Sequence, residues 1–418
     1  MISYAEALSK AIKNSAPTGT ESCPARQGLG RILAKPISSP VDLPPFTNSA
    51  MDGFALRSSG SEWPVGHEFE VAGELAAGDG REVESAEAWE IMTGALVPPD
   101  SDRVIPVEQV TIIEKRPNGY PARIRLDAAV RSGQNVRRQG SDIERDGLVL
   151  QPATVLRSRH VMMLAALGIE RIEVARRPRA AILCTGNELV DDPGQALAAG
   201  QIWNSNGPYL AACLQAAGAE VVYRQTVTDT PQAYEKAVRK ALDEGIDMLL
   251  SSGAVSMGRY DCVPQALAQL NAAIHFHKTR VRPGKPILLA QLAQGPLVFA
   301  LPGNPMAVAV GMRFLVEPAL RVMLGLASER PVQARLLEPA ASKPGLRMHF
   351  KARLGATDDG QLTVSILPGQ QSYRIRPLLE ANAWAIGPEQ LGDLPAGSLL
   401  EVYSLGHLDS FGIATRCS

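Results

Sequence analysis

Three acidic residues follow predicted strands between residues 179 and 261. Glu188, Asp229 and Asp261 each stand at or beyond the end of a short apolar segment that predicts a strand. Ligands of parallel α/β sheets bind at the carboxyl ends of the strands, so we expect these carboxylates to share one edge. They could hold Mg²⁺ through oxygen ligands, with substrate phosphate completing its shell. For each acid alone, helix capping is the simpler interpretation, whereas the shared placement favours a metal site.

Three further segments of the same region have residue types that suit anion binding. Small residues at 251–258 would let backbone N–H groups approach a phosphate, although a simple Gly/Ser turn is the alternative. Pro-Gly-Asn-Pro at 302–305 predicts a strand that turns into a helix N-terminus, with Asn304 as the N-cap and Pro305 at the first helical position. Four cations at 278–285 predict either an oxyanion or pyrophosphate site or a solvated basic loop.

Hydrolytic and P-loop chemistry have no support in the sequence. It contains no GxSxG, HExxH or GxxxxGK[ST] motif. His275 and His277 alternate along a predicted strand and so would point the same way, but two histidines without a third ligand make a poor zinc site. We assign both to packing or to the surface. In the first half of the chain, Asp52 and Thr93 lie in turn-prone segments that either serve a site or form simple turns.

Composition argues against several other classes of protein. The 418 residues hold 42 Lys and Arg against 43 Asp and Glu, so no overall field attracts nucleic acid or acidic membranes. The five cysteines form no CxxC pair, which favours a reducing cytoplasm over a disulfide framework. The N-terminal pattern is not that of a signal peptide, and the apolar stretch 306–320 is shorter than the about 20 residues of a membrane span. We expect a cytoplasmic protein.

The elements that must position these residues alternate between strands and helices. Strands predicted at 179–184, 220–227, 247–250 and 297–301 are separated by helices, and a long helix is predicted at 305–324. This order predicts right-handed crossovers and a central, doubly wound, mostly parallel α/β domain. Around it we expect a β-rich domain at 41–149, a helical or extended linker domain and a small, barrel-like C-terminal β domain, so the fold class is α/β plus β.

An ordered set of motifs makes the chain resemble a known family, the molybdopterin molybdenumtransferases, also called the MoeA family, which includes the gephyrin E domain. The resemblance covers nearly the whole length. Each motif alone would be weak, but their number and order are specific. They are Asn-Ser-Ala-Met-Asp-Gly at 48–53, Met-Thr-Gly-Ala at 92–95, Gly-Ser-Asp at 140–142, Thr-Gly-Asn-Glu-Leu at 185–189, Asn-Ser-Asn at 204–206, the small-residue loop at 252–258, Arg-Pro-Gly-Lys-Pro at 282–286 and Pro-Gly-Asn-Pro at 302–305.

The resemblance implies an elongated cytoplasmic homodimer of four domains that inserts molybdate into adenylated molybdopterin. The Mg²⁺-dependent reaction would cleave the adenylate and give molybdenum cofactor and AMP, and molybdoenzymes or other cofactor-biosynthesis proteins are possible partners. The implied domains are 1–40 with 150–177 for linking and dimerisation, 41–149, 178–328 and 329–418. The partner subunit's β-rich domain would contribute to each site.

The same resemblance assigns roles to individual residues. As catalytic groups it implies Asp52, Thr93, Asp142, Glu188, Asp229 and Asp261, of which Glu188, Asp229 and Asp261 would hold the metal. As groups that bind substrate or oxyanion it implies Ser252, Gly253, Ser256, Gly258, Arg282, Lys285, Pro286, Pro302, Gly303, Asn304, Pro305, Arg347 and Ser372.

Two residues depart from the family pattern. Ala254 stands where many members have a second glycine, and its methyl group would clash if the position requires a positive φ. Arg259 stands where an acid is common, beside the expected metal site. These departures keep two alternatives open, a molybdopterin-binding scaffold and an inactive paralogue. A third alternative is the molybdopterin adenylyltransferase of the same pathway, which shares the α/β domain but usually lacks the flanking β domains.

Overall fold

The structure, a computed structural model, describes residues 1–255, 262–293 and 295–411, and the backbone of 414 and 415. The chain divides into two units, each described by itself. The first contains Met1–Glu21, Gly30–Ala34 and Glu173–Ser418, and the second contains Ser22–Leu29 and Lys35–Ile172. Two of the four boundaries fall within strands that pair with each other, β1 (Thr20–Pro24) and β12 (Arg171–Ala175).

The second unit is the β-rich part of the chain. Its largest sheet has six strands in the order β7-β4-β6-β5-β9-β8, and its core contains Phe54, Phe69, Ile105 and Ile124. Two small antiparallel pairs, β3 with β10 and β2 with β11, and one helix complete it. The elements are β2 (Ile37–Ser38), β3 (Asn48–Ser49), β4 (Gly53–Arg57), β5 (Glu68–Leu75), β6 (Ala88–Ile91), β7 (Ser101–Pro106), β8 (Val110–Lys115), β9 (Pro121–Leu126), β10 (Val136–Arg137), β11 (Leu148–Leu150) and α2 (Ser158–Ala166).

The first unit is built around a six-stranded sheet in the order β16-β13-β17-β21-β20-β18. The first four strands of this order are parallel to one another, and β20 is antiparallel to both of its neighbours. The strands of this sheet and its small β14-β15 partner pair are β13 (Arg179–Thr185), β14 (Leu189–Val190), β15 (Ile202–Trp203), β16 (Glu220–Val227), β17 (Met248–Ser252), β18 (Ala273–His277), β20 (Leu288–Gln291) and β21 (Leu297–Leu301).

Side chains on both faces of this sheet are buried, which explains the nearly continuous apolar sequence of its central strands. Successive residues of a strand point to opposite faces, so Ile182 enters one core and Leu183 the other. Both faces are therefore covered, as a doubly wound fold requires. The helices of this unit are α1 (Tyr4–Lys13), α3 (Asn206–Ala216), α4 (Pro231–Asp243), α5 (Val263–Gln269), α6 (Pro305–Gly311), α7 (Glu317–Met323) and α8 (Arg376–Glu380).

The long helix predicted at 305–324 is present, but it contains one π-helical turn. The turn, Met312–Val316, joins α6 to α7 without a break in the buried surface. Within it, Arg313 is only 2% exposed and lies 3.3 Å from the equally buried Glu317. Helix α1 packs Tyr4, Ala7 and Ala11 into the same core.

The C-terminal domain is a closed barrel. Each strand pairs with the next in the order β22, β24, β23, β25, β26, and β26 pairs with β22, which closes the barrel. The short strand β19 of the α/β domain pairs with β23 in parallel. The segment with four cations at 278–285, which contains β19, is therefore joined to the barrel by main-chain hydrogen bonds. The strands are β19 (Val281–Arg282), β22 (Val332–Leu336), β23 (Arg347–Ala356), β24 (Leu362–Ile366), β25 (Ala383–Gly387), β26 (Leu399–Ser404) and β27 (Ala414–Thr415).

The fold class predicted from the sequence is confirmed: a mostly parallel α/β domain, a β-rich region and a barrel-like C-terminal domain are all present. The exact boundaries of the four domains stay a prediction. In the described residues, no helix combines the length and the hydropathy that crossing a membrane would require.

Candidate active site

The four parallel strands end side by side at one edge of the α/β sheet. Ser252 of β17 is level with Cys184 of β13 and with Leu301 of β21, and Thr185 is level with Val227 of β16. The loops that carry most of the predicted site residues therefore start from one line. Four separate loops therefore leave the sheet at the edge where ligands of parallel α/β sheets bind.

The loops after β13, β17 and β21 contact one another through main-chain atoms at glycine residues. Gly253 has φ +104°, and a Cβ built on it would collide with the carbonyl oxygen of Thr185. Its N–H donates to the Leu301 carbonyl at 3.0 Å, and a Cβ on Gly303 would lie 3.8 Å from the Gly253 Cα. Only glycine suits position 253, because its φ and the space around it both exclude a side chain. The three loops therefore pack closely, with Gly253 buried between them and Gly303 exposed at the edge.

Asn206 holds two of these loops together, although the sequence analysis did not assign it a role. From the first turn of α3, its side-chain amide donates to the Ser252 hydroxyl and to the Gly303 carbonyl, at 2.8 Å each. Nearby, the Asn204 amide donates to Asp191 and Thr226 at 3.0 Å each. The signal in the sequence was the Asn-Ser-Asn motif, which marked the segment without showing which loops it would join.

Two of the three predicted metal-binding acids lie on adjacent loops. The Gly186 N–H donates to the Val227 carbonyl at 3.2 Å, which brings the loop of Glu188 beside that of Asp229. Glu188 folds over Gly186, where an added Cβ would be 2.8 Å from both carboxylate oxygens. Among the described residues, no group of three or more His, Cys, Asp or Glu is arranged to hold a metal ion. Asp261 lies outside the described residues, as do Ser256 and Gly258.

Six of the predicted binding residues line one cavity. It has a volume of about 770 Å³ and lies between the edge of the α/β sheet and the barrel, within the first unit. Its walls also include the barrel residues Ser342, Lys343 and His349. The predicted residues in its walls are Arg282, Lys285, Pro286, Pro302, Asn304 and Ser372.

The loop that carries Ser372 is held by a buried lysine that the sequence analysis missed. Lys351 is 1% exposed, and its ammonium donates to the carbonyls of Gly369 at 2.7 Å and Arg374 at 3.1 Å. The amide of Gln370 completes the arrangement with bonds to the backbone of Lys351 at 3.1 and 2.9 Å. Burial, and then the charge of Arg374, lower the pKa of Lys351. A buried cation therefore lies directly behind one wall of the cavity.

The helix start at 304–305 differs in detail from the prediction. Helix α6 begins at Pro305, as expected, and Asn304 has the backbone conformation of an N-cap, but its side chain makes no capping hydrogen bond. The Met306 N–H donates instead to the Ser372 carbonyl at 3.0 Å. The barrel loop thus binds the helix N-terminus, and Asn304 lines the cavity.

Arg347 does not line the cavity. Its guanidinium pairs with Glu401 at 2.7 Å and stacks 4.7 Å from the ring centre of Tyr4. Phe350 and Ala352 of β23 enter the barrel core, so Arg347, His349 and Lys351 lie on the other face of the strand, where His349 also lines the cavity. Of these, Lys351 is the residue that holds the Ser372 loop.

In the second unit, Asp52 and Thr93 are brought into direct contact. Both the backbone N–H and the hydroxyl of Thr93 donate to Asp52 Oδ1, at 2.6 and 2.7 Å. These bonds hold the pKa of the Asp52 carboxyl below its usual range, and the bond from the backbone N–H has the larger effect. Asp142 is exposed, and its N–H donates to the Leu43 carbonyl at 2.9 Å. The pair is a built polar cluster rather than a simple turn.

Three family models match the chain in order. They describe the MoeA N-terminal region, domains I and II, over residues 2–168, a probable molybdopterin binding domain over 181–322, and the MoeA C-terminal region, domain IV, over 333–405. A molybdopterin molybdenumtransferase of Synechococcus elongatus is 35% identical over 97% of this chain and 100% of the relative. The chain belongs to the molybdopterin molybdenumtransferase family.

Other members of the family agree in length and fold. The molybdopterin molybdenumtransferase of Haemophilus influenzae is 30% identical over 98% of this chain and 100% of its own. A solved MoeA protein from Pyrococcus horikosii matches with a TM-score of 0.78 and 28% identity, over 97% of this chain and 99% of that one. The family resemblance is therefore confirmed, and the protein is a transferase.

The departure from the family pattern at Ala254 has a structural consequence. Ala254 adopts φ +40°, the left-handed conformation that favours glycine. The conformation is thus kept in this chain at a cost in backbone strain of about 1–2 kcal/mol. Arg259, the other departure, lies outside the described residues.

Proposed function

We propose that the protein inserts molybdenum from molybdate into molybdopterin, which it receives as the adenylate, and releases AMP. The observation that carries this proposal is the cavity between the α/β edge and the barrel, with Arg282 and Lys285 on one wall and Ser372 on another. Family membership supplies the class of reaction, and the geometry supports the assignment of substrates to regions of the site.

Molybdate is a small dianion, and the cavity is suited to it by charge. Among the described residues, no carboxylate forms an ion pair with Arg282, Lys285 or Lys351. The charges of Arg282 and Lys285, which line the cavity, are therefore left for a ligand, and Lys351 adds a positive charge behind the wall. A charge-assisted hydrogen bond contributes about 1.5–3 kcal/mol, so two or three such groups suffice for binding of a free oxyanion.

The adenylated pterin is assigned to the strand edge. Gly303 leaves backbone exposed at this edge, and Asn206 binds both its carbonyl and the Ser252 hydroxyl. Pro302 follows β21 and Pro305 begins α6 at this edge, and both are proposed to line the phosphate path. Ser256 and Gly258 lie outside the described residues, and their role in phosphate binding stays a prediction. The large cavity next to this edge would bring the dithiolene end of the pterin to the oxyanion.

The small number of carboxylates at this edge of the sheet is compatible with a magnesium site. Mg²⁺ usually binds through one or two carboxylates plus substrate phosphates, so it needs no complete protein cage. Glu188 and Asp229, on adjacent loops, would hold it, together with Asp261. Bound there, it would neutralise charge at the phosphoanhydride that is cleaved.

We further propose a cytoplasmic homodimer in which the partner's Asp52, Thr93 and Asp142 complete each site. The support is the Asp52–Thr93 cluster, a built polar group outside the α/β unit. Asp52→Ala and Asp229→Ala should each abolish activity, and subunit exchange between the two variants should restore part of it. No recovery after verified exchange would count against a shared site.

The function is tested by incubating the purified protein with adenylated molybdopterin, Mg²⁺ and molybdate. AMP release together with cofactor that reconstitutes an apo-molybdoenzyme is the expected result. Binding of the pterin without AMP release would favour the scaffold alternative, and formation of the adenylate from ATP and molybdopterin would favour the adenylyltransferase. The presence of both MoeA-type flanking regions argues against the latter.

A further inference from the structure

His277 contacts the small-residue loop from the edge strand of the sheet. It is the last residue of β18, and its Nε2 lies 2.8 Å from the carbonyl oxygen of Val255. A carbonyl only accepts hydrogen bonds, so Nε2 carries the proton and donates. A side chain of β18 therefore binds the loop that follows β17.

The loop after β17 is anchored at its base by three contacts. The Gly253 N–H donates to the Leu301 carbonyl at 3.0 Å, and the Ala254 carbonyl accepts from the Val263 N–H at 3.3 Å. The His277 bond to Val255 is the third. Because Ala254 has a positive φ, which is unfavourable for a residue with a side chain, the backbone there depends on such contacts for its shape.

The basic loop begins at the residue after His277. The Lys278 N–H donates to the Ile287 carbonyl and the Thr279 N–H to the Lys285 carbonyl, at 2.9 Å each. These bonds close the loop that presents Arg282 and Lys285 to the cavity. His277 therefore directly precedes the basic loop at 278–286 and donates a hydrogen bond to the loop that follows β17.

The direction of the His277 side chain follows from a bulge in β18. The pairing of β18 with β20 shifts between Ile274 and Phe276, so the regular alternation is interrupted there. Accordingly, Ile274 is 45% exposed while Phe276 is buried. The expectation that His275 and His277 point the same way relied on an unbroken strand. His275 differs from His277, since its buried Nε2 has no hydrogen-bond partner among the described residues.

We infer that His277 is a positioning residue that couples the phosphate-binding loop at 252–255 to the oxyanion loop at 278–286. The inference rests on the proposed function for the identity of the two ligands. A ligand that orders one loop stabilises the His277–Val255 bond and with it the other loop, so each substrate favours the binding of its partner. Such coupling is reciprocal by thermodynamic linkage.

The coupling is measured as the ratio of the molybdate dissociation constants without and with adenylated molybdopterin, in the absence of added Mg²⁺. We compare His277→Phe, which keeps a ring and loses the donor, with His277→Gln, which keeps a donor and loses the ring. The Phe variant should lower the ratio about two- to tenfold, as expected for one lost hydrogen bond, and Gln should retain most of it. Retention by Phe with loss by Gln would show a packing role and overturn the inference.

His275→Phe is the matched control, because it makes the same change two residues earlier on the same strand. It should leave the ratio unchanged, and a loss equal to that of His277→Phe would overturn the inference. If His277→Phe does not fold, His277→Leu replaces it with the same expectation.

A second measurement needs no substrate. Hydrogen exchange of the Val263 amide, which closes the loop base, should accelerate in His277→Phe and remain near wild type in His277→Gln and His275→Phe. Equal exchange in the wild type and the three variants would show that the His277–Val255 hydrogen bond does not hold the loop, and would overturn the inference. If the wild type binds neither ligand, the proposed function fails, and the exchange result still decides whether His277 holds the loop.

Discussion

Thr93 donates two hydrogen bonds to a single carboxylate oxygen of Asp52, one from its backbone N–H at 2.6 Å and one from its hydroxyl at 2.7 Å. Both bonds favour the charged carboxylate and hold the pKa of Asp52 below its usual range. Asp52 therefore remains an anion at mildly acidic pH, which suits a group that acts on a cation or orients a nucleophile.

Thr93→Val should raise the pKa of Asp52 toward its usual value while keeping it depressed, because the backbone bond remains. The pKa is measured by NMR titration of the carboxyl carbon, with Thr93→Ser as the control that retains the hydroxyl. A depressed folded pKa contributes stability above the unfolded pKa, and this stability is lost as the pH falls through the folded pKa. The Val variant should lose less stability in that acidic window. Identical titrations in the two variants would show that the hydroxyl bond does not form.

Much of the fold could be predicted because the sequence pattern there has a direct physical cause. The central strands are apolar throughout, since residues such as Ile182 and Leu183 enter cores on opposite faces. The helix predicted between the strands at 220–227 and 247–250 is α4, and the hydroxyl of its N-cap residue Thr230 accepts the Ala233 N–H. The π turn in the long helix was not predicted, although Gly311 lies directly before it and Pro318 two residues after its end. Glycine and proline inside a helix are compatible with a break or a kink as well, so they do not specify a π turn.

The candidate site was predictable in its loops but not in its contacts. Spacing placed Arg282, Lys285 and Asn304 near strand ends, and the structure puts all three in one cavity. Asn206 and Lys351 were missed because their roles depend on backbone carbonyls of distant loops, which leave no pattern in the sequence. The family resemblance assigned Arg347 to the oxyanion site, whereas its ion-pair partner in the structure is Glu401.

Lys285→Ala and Lys351→Met should both weaken molybdate binding, for different reasons. The first removes a cation from the cavity wall, and the second removes a buried charge and releases the Ser372 loop. Loss of a charge-assisted contact of about 1.5–3 kcal/mol corresponds to a rise in the molybdate dissociation constant of roughly 10- to 150-fold. Affinity for the adenylated pterin should change much less, and titration calorimetry measures both.

Arg353→Gln is the control for Lys351→Met. It removes a cation from the same strand, but Arg353 is exposed, and among the described residues the only hydrogen bond of its side chain is a 3.4 Å contact with the Glu380 carbonyl. Its molybdate affinity should equal that of the wild type. Equal weakening by Arg353→Gln would mean that general charge, rather than the position of Lys351, controls the affinity.

Ala254→Gly should stabilise the protein by up to about 1 kcal/mol. Ala254 has φ +40°, and relief of this strain exceeds the added chain entropy of glycine by that amount. Ala233→Gly, within α4, is the opposite control and should cost about 1 kcal/mol, because helical backbone gains nothing from glycine. Urea unfolding measures both changes. A destabilised Ala254→Gly variant would show that the methyl group packs favourably in the folded loop.

The buried carboxyl group of Glu317 should make stability fall as the pH rises. Glu317 is 3% exposed, and burial raises its pKa to about 8, even though Arg313 and the His407 N–H act in the opposite direction. Between the ordinary pKa of 4.5 and about 8, the folded state binds more protons than the unfolded state. The stabilisation is therefore fully present below the unfolded pKa and is lost as the pH rises through the folded one.

Urea unfolding at several pH values across this window tests the assignment with two variants. Glu317→Gln mimics the neutral form, so its free energy of unfolding should decline less between about pH 5 and pH 8 than that of the wild type. Glu329→Gln removes the second carboxylate on Arg313, which repels Glu317 and competes for the guanidinium. It should lower the pKa of Glu317 and move the decline to lower pH. If the wild type and Glu317→Gln decline in parallel, Glu317 is already ionised in the folded protein at neutral pH, and the Arg313 ion pair outweighs the cost of its burial.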